Sequence, residues 1–281
     1  MKHLKKLLPL SIALISTLSI YNKAAGQSLP HSKIKKNWYF SWGYNTEIWM
    51  PSIIKISQNA LGNNFTISDV VAHDEPGWTT GIFNKPLTDP QFNVRIGCFF
   101  NAGHTKGLEL NFDHTKYSTT ENQYANITGN MNGMPVNLNE QLTSEYFTYY
   151  LHNGANHLMV NYVQKMLLLG KQGKALSVEG ILKTGGGIML PHAENTIMGN
   201  DNNVGPKEPS NWFGIGRGWW RYGGYTAGFE YGIRFVPVKN VFIELTSKIA
   251  YSNLSDIPVY DGIARQELWM MEGICSLGIS L

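Results

Sequence analysis

The chain has 281 residues, with 23 basic and 20 acidic side chains and a formal net charge of +3. That excess comes from the first 26 residues, which carry Lys2, Lys5, Lys6 and Lys23 and no acid; beyond them the 23 bases fall to 19 against 20 acids, so nothing points to nucleic acid as a partner. Charged residues make up 15% and aromatics 12%, and no segment past the N-terminus approaches the roughly 18 apolar residues of a spanning helix, which excludes a helical membrane protein and leaves a water-soluble β-sandwich and a membrane β-barrel both open.

Residues 1–26 read as a signal peptide. Lys2, Lys5 and Lys6 form a basic start, "LLPLSIALISTLSI" is an apolar run shorter than the ~20 residues a bilayer needs, and "AAG" before Gln27 supplies small residues for cleavage. One domain, residues 27–281, is expected to follow. Cys98 and Cys275 are its two thiols, too few for a disulfide framework.

From Asn37 onward the apolar residues alternate, and neither amphipathic helices nor a repeat of fixed period is visible. Ten strands are expected, over 37–46, 52–58, 64–74, 92–101, 105–118, 143–169, 175–190, 218–236, 241–253 and 266–281. The pattern is plainest in "RYGGYTAGFEYGIRFVP", where Tyr225, Ala227, Phe229, Tyr231, Ile233 and Phe235 share one face. Short connections near 101–103, 170–174 and 237–240 alternate with long ones at 75–91, 119–141, 191–217 and 254–265, as in an outer-membrane barrel. Under that alternation "SIIKISQ" and "FTISDVVAH" make a hairpin with a periplasmic turn at "NALGN". "HNGANH" at 152–157 is then a one-residue bulge in a continuous strand, because the apolar set moves from odd positions (Phe147, Tyr149, Leu151) to even ones (Val160, Tyr162, Met166, Leu168). Both ends of the domain fall on the periplasmic side, and the first strand is expected to pair with the last.

The other face of these strands carries Arg95, Glu109, Asp113, Lys165, Glu179, Lys183, Glu230, Arg234, Glu244, Lys248 and Glu272. A Lys or Arg facing lipid at mid-bilayer costs ~2–4 kcal/mol, so this face must be the lumen. Counting back from each short turn sets Arg95 opposite Glu109, Lys165 opposite Glu179, Arg234 opposite Glu244 and Glu230 opposite Lys248, a lumen plugged by ion pairs. Trp38, Trp49, Trp219, Trp220 and Trp269 near strand ends are expected to form the aromatic girdle, and Cys98 and Cys275 fall on the outward set.

Toward the extracellular rim, His73, Asp74, Asp113 and His152 are candidates for acid–base chemistry, though a solvated polar rim has the same composition. His114, Lys116, Arg217 and Arg221 are suited either to lipopolysaccharide phosphates or to snorkelling at the membrane boundary. "GIGRG" at 214–218 lacks the strand-before, helix-after setting of a dinucleotide loop. No metal-ligand spacing and no cofactor motif is found.

"WYFSWGYN", "FTISDVVAHD", "FNVRIGCFF", "LNFDHTKY" and the bulged strand together resemble small Gram-negative outer-membrane β-barrel proteins, in particular a family of Bacteroidota-like bacteria with no established catalytic residues. The resemblance spans most of residues 27–281. It implies an all-β, antiparallel up-and-down transmembrane barrel in the cell outer membrane, monomeric and porin-like. Lipid and lipopolysaccharide are the implied partners, with an extracellular ligand unassigned. A ten-strand barrel is also similar to the omptin proteases, whose rim site of paired Asp and Asp–His has only loose counterparts here in His73, Asp74, Asp113 and His152. The His-x-Ser-Asn motif of lipid A deacylases is not matched, since "HNGAN" has no serine in that place. A structural, surface-interaction or narrow-transport role is therefore expected, with a rim hydrolase as the alternative.

Overall fold

The computed structural model describes residues 37–77, 90–151, 153–202 and 220–281. Residues 1–26, read above as a signal peptide, and His152, Arg217 and Trp219 lie outside the described residues. Regular structure among those described is strand, apart from one 3-10 turn at Asn59–Leu61.

Eight strands close a ring. In order around it they are β1 (Asn37–Trp49), β5 (Phe92–Phe99), β6 (Lys106–His114), β11 (Ala155–Leu169), β12 (Ser177–Pro191), β15 (Gly224–Val238), β16 (Val241–Val259) and β17 (Gly262–Ser280), each antiparallel to the next. β1 pairs with β17 from Tyr39↔Ser280 to Trp49↔Met270, so the first strand meets the last and the ring has no free edge. The fold is an all-β, antiparallel, up-and-down barrel.

The ten segments read as strands are all strands, but two of them stand outside the ring. β2 (Ser52–Gln58) continues in the direction of β1 beyond Met50 and Pro51 and takes over the edge of β17, from Ile53↔Glu267 to Ser57↔Ile263. The turn at 59–62 and its return strand β3 (Asn63–Val70) therefore lie at the end remote from the termini, opposite to the expected side. The alternation of loop lengths misled here because strands were taken to match the membrane. A spanning β-strand needs about 9–11 residues, whereas β16 and β17 have 19 each.

Their distal halves build a head. β8 (Gln123–Met131) and β9 (Met134–Leu142) extend the β17–β2–β3 sheet, and β4 (Ala72–His73), β7 (Tyr117–Thr119), β10 (Phe147–Leu151), β13 (Glu194–Ile197) and β14 (Asn200–Asp201) form a second sheet. Most of the expected loop 119–141 is thus strand, as are 194–197 and 200–201 among the described residues of the expected loop 191–217.

Phe147–Leu151 and Ala155–Leu169 run in one direction without reversal, but the excess of residues between Leu151 and His157 is larger than one. Leu151 pairs with Tyr117 and His157 with Asp113, so six steps on one strand match four on the other. An excess of two keeps the geometric parity. Phe147, Tyr149 and Leu151 point to the same interior as Ala155, His157, Met159, Asn161 and Val163, and all are buried. What changes along the strand is the surroundings.

In the barrel the outward residues are apolar and exposed, among them Phe40, Ile96, Leu108, Leu110, Val160, Ile233, Leu245, Leu277 and Ile279, while the inward ones include the charged groups and amides, with an apolar cluster at one end. In the head the interior is apolar (Ile54, Ile56, Phe65, Ile67, Tyr117, Ile127, Phe147, Tyr149, Leu151, Leu254, Leu268) and the exterior polar. β17 shows both within one strand: Met271, Cys275, Leu277 and Ile279 face out from the barrel, and Arg265 and Glu267 face out from the head. Lipid surrounds the first part and water the second.

Trp49 belongs to the head core, not to the girdle. It is buried, packs edge-on to Tyr117, and donates its Nε1–H to the Lys116 carbonyl at 2.9 Å. Trp38 and Trp269 do face outward, at opposite ends of the apolar belt.

Candidate functional site

At the end where the termini lie, the barrel interior opens on a floor of Tyr39, Phe99, Val163, Ile181, Val236 and Phe242. Two glycines permit it: the Tyr39 ring lies over Gly97 and the Phe242 ring over Gly278, where any Cβ would collide with the ring. Tyr39 Oη donates to Glu109 Oε2 at 2.8 Å, and the Arg234 guanidinium lies 3.8 Å from the Phe242 ring centre. Tyr39→Phe is expected to cost about 1.5–3 kcal/mol in urea unfolding, because it removes a hydrogen bond to a buried carboxylate; a midpoint equal to wild type would show that water already satisfies Glu109.

Above the floor, charged side chains meet across the lumen. Lys183 Nζ lies 3.0 Å from Glu109, 3.0 Å from Glu244 and 3.3 Å from Glu230. Arg95 reaches Glu230 at 2.7 Å and Asp113 at 3.2 Å, Arg234 pairs with Glu244 at 2.5 Å, and Lys165 with Glu179 at 2.8 Å. Lys248 bonds Asp113 and lies 2.5 Å from Glu272. Asn111 and Asn161 fill in between, donating to Asp113 and to Glu109 and Asn111 respectively.

This differs from the pairing expected from the hairpins. Arg234↔Glu244 and Glu230↔Lys248 are indeed opposite. Arg95, however, faces Asn111, and Lys165 faces Ile181, so Glu109 and Glu179 are diagonal neighbours, with Arg95–Glu109 stretched to 4.0 Å. Both turns centre one residue later than assumed. In the first, Asn101 Oδ1 accepts the N–H groups of Thr105 and Lys106 and so fixes a longer loop. Glu230 and Lys248, though opposite, each take other ion partners. In an eight-stranded barrel the interior is narrow enough for side chains to fill, so contacts to the far wall (Arg95–Glu230, Lys248–Asp113) join cross-strand ones (Lys183–Glu230, Lys248–Glu272) in one network.

A closed barrel with an apolar belt outside and a polar interior is built to span a bacterial outer membrane, and the outer membrane is its location. A family model described as "Protein of unknown function (DUF1374)" matches residues 90–167. No curated protein matches the chain. Among solved structures it is similar to Neisserial surface protein A (9% identity, TM-score 0.33, covering 87% of this chain and 98% of that one). It is also similar to OprG from Pseudomonas aeruginosa (9%, 0.34, 87% and 95%) and to the outer membrane protease OmpT from Escherichia coli (7%, 0.35, 91% and 99%). With TM-scores this low, the fold rests on the chain's own ring closure.

Among the described residues, the rim candidates His73, Asp74 and Asp113 are not brought into one site. Asp113 lies fully buried in the barrel network, and Asp74 Oδ2 accepts from Thr46 Oγ1 at 2.6 Å and from the Glu47 amide at 2.8 Å, tying the head to β1. His73 is exposed on β4 opposite Ser118 of β7. It lines a cleft on the head with Glu75, Ser118, Thr119, Glu121 and Tyr150. There Ser118 Oγ donates to Glu75 at 2.6 Å and Tyr150 Oη to Glu121 at 2.7 Å. Burial and the Glu121 carboxylate push the Tyr150 phenol up to about 12. Glu75, Ser118, Glu121 and Tyr150 were missed because their contacts join β4, β7 and β10, segments of which β7 was not separately visible. Of the boundary cations, His114 is buried between Phe92 and Trp220 with Nδ1 2.6 Å from Asn156 Oδ1, and Arg221 pairs with Asp256 at 2.6 Å.

Proposed function

We propose that this protein is a non-conducting outer-membrane barrel that displays a β-rich head for contact with a partner outside the cell. The carrying observation is the succession, among the described residues, of an aromatic and aliphatic floor, a buried ion-pair layer and an apolar head core. A surface-interaction role fits this better than narrow transport. The cleft at His73, Glu75, Glu121 and Tyr150 is the part of the head best shaped to receive a ligand. On this reading residues 1–26 are removed on export, the ring acts as a monomer, and the termini lie on the periplasmic side. Trp220, Lys116 and Arg221 then meet the lipopolysaccharide layer. The kinship with barrels of Bacteroidota-like bacteria rests on the sequence resemblance.

Purified full-length protein reconstituted in planar bilayers should give no conductance above that of protein-free membranes, and liposomes carrying it should not swell in small sugars. Stepwise channels from folded, heat-modifiable protein would defeat the reading and make transport the function.

A further inference from the structure

We propose that Glu47 and Glu272 share a single proton, forming a buried carboxyl–carboxylate pair where the barrel meets the head. β1 and β17 set these residues directly opposite one another, both facing inward, at 4% and 1% exposure. One cation reaches the pair, and it is already divided: Lys248 of β16 bonds both Glu272 and Asp113 of β6. Arg95 of β5 and His157 of β11 flank Asp113, the first through an ion pair and the second as its cross-strand neighbour, held by Thr226. From the head, Asp74 adds a third carboxylate beside the Glu47 amide. Glu47 itself has no ion pair among the described residues; Oε1 accepts from Asn45 Nδ2 at 2.7 Å and Oε2 has no partner.

A second, independent feature is Asn45. Its side chain is fully buried, and Nδ2 also donates to the His114 carbonyl at 3.3 Å, which fixes the orientation of the amide. Oδ1 is then an acceptor with no donor. The site is therefore short of donors as well as of positive charge. One proton, taken up from water and held by the pair, removes a charge that burial disfavours and sets an O–H between carboxylates whose oxygens otherwise lack hydrogen-bond partners, Glu47 Oε2 among them. The proton belongs to the pair and not to either residue alone. Losing it sets two like charges on adjacent strands at the point where β1 ends and the head begins.

Infrared spectra of the full-length protein in lipid vesicles test this. At neutral pH wild type should show the C=O stretch of a protonated carboxyl, shifted in D2O, and Glu47→Gln should lose it. Raising the pH should abolish the band and lower the melting temperature of wild type, with the decline flattened in Glu47→Gln. Absence of the band in wild type overturns the proposal, as does its persistence in Glu47→Gln. A melting temperature at neutral pH that follows sodium or calcium concentration, without the band, would assign a metal cation in the proton's place and equally overturn it. The wild-type pH titration alone decides between these outcomes should the variant not fold.

Discussion

Lys183→Met should destabilise the barrel by about 3–5 kcal/mol, the range for removing one partner of a buried ion pair. Lys183 is the shared cation of Glu109, Glu230 and Glu244, all at or below 1% exposure, so its loss leaves carboxylates in a narrow lumen with fewer compensating charges and no room for bulk water. Arg95 and Arg234 still face some of these acids, which limits the loss to one layer. The measurement is the urea midpoint of the reconstituted protein, followed by tryptophan fluorescence and by the shift between folded and heated forms on gels. Arg221→Ala is the control, since its pair with Asp256 is substantially exposed and worth at most about 1 kcal/mol. Equal small effects from the two substitutions would mean that the interior is hydrated, and the plugged lumen would have to be abandoned.

A second large effect follows from the exchange of inside and outside along the strands. Leu245→Arg, on the lipid face of β16, should cost roughly 2–4 kcal/mol if Leu245 lies near mid-bilayer. Ile67→Asp, in the head, should collapse the head. That residue is fully buried against Ile54 of β2, and an unpaired carboxylate there has no donor to meet it. The barrel should survive Ile67→Asp, because its ring closes through β1–β17 without β3. Arg265→Leu, outward on the head part of β17, should change stability by no more than about 0.5 kcal/mol. Proteolysis of intact vesicles separates head from barrel: cleavage confined to Ile67→Asp, with the ring protected, is expected. Loss of the ring in that variant would make head and barrel one cooperative unit. A neutral Leu245→Arg would place that part of the wall outside the bilayer.

Much of this architecture could be read in the chain. Period-two alternation from Asn37 to Leu281, the absence of spanning helices and a polar face opposite an apolar one imply a closed antiparallel barrel, because side-chain direction in a strand is fixed by the backbone and needs no knowledge of neighbours. Arg234↔Glu244 and Glu230↔Lys248 followed from counting about Lys239, although the turn itself pairs Val238 with Val241 and it is the irregularity between Phe235 and Val238 that shifts the register by one to give these pairs. Glu47 escaped notice because it stands one residue beyond the expected end of its strand, although its odd parity matched Tyr39, Ser41 and Asn45.

The rest was decided in three dimensions. Sequence alternation cannot tell a strand that ends at the membrane from one that continues into water, because the apolar face merely changes sides; hence β1 and β2 looked like separate wall strands, and the Leu151–His157 interruption like a parity change. Nor does it give the ring size, and that number makes the lumen narrow enough for Arg95 to find Glu230 on the opposite wall in place of Glu109 on the next strand. Strand face is a local property of the backbone, whereas partner choice depends on which walls the closed ring brings within reach.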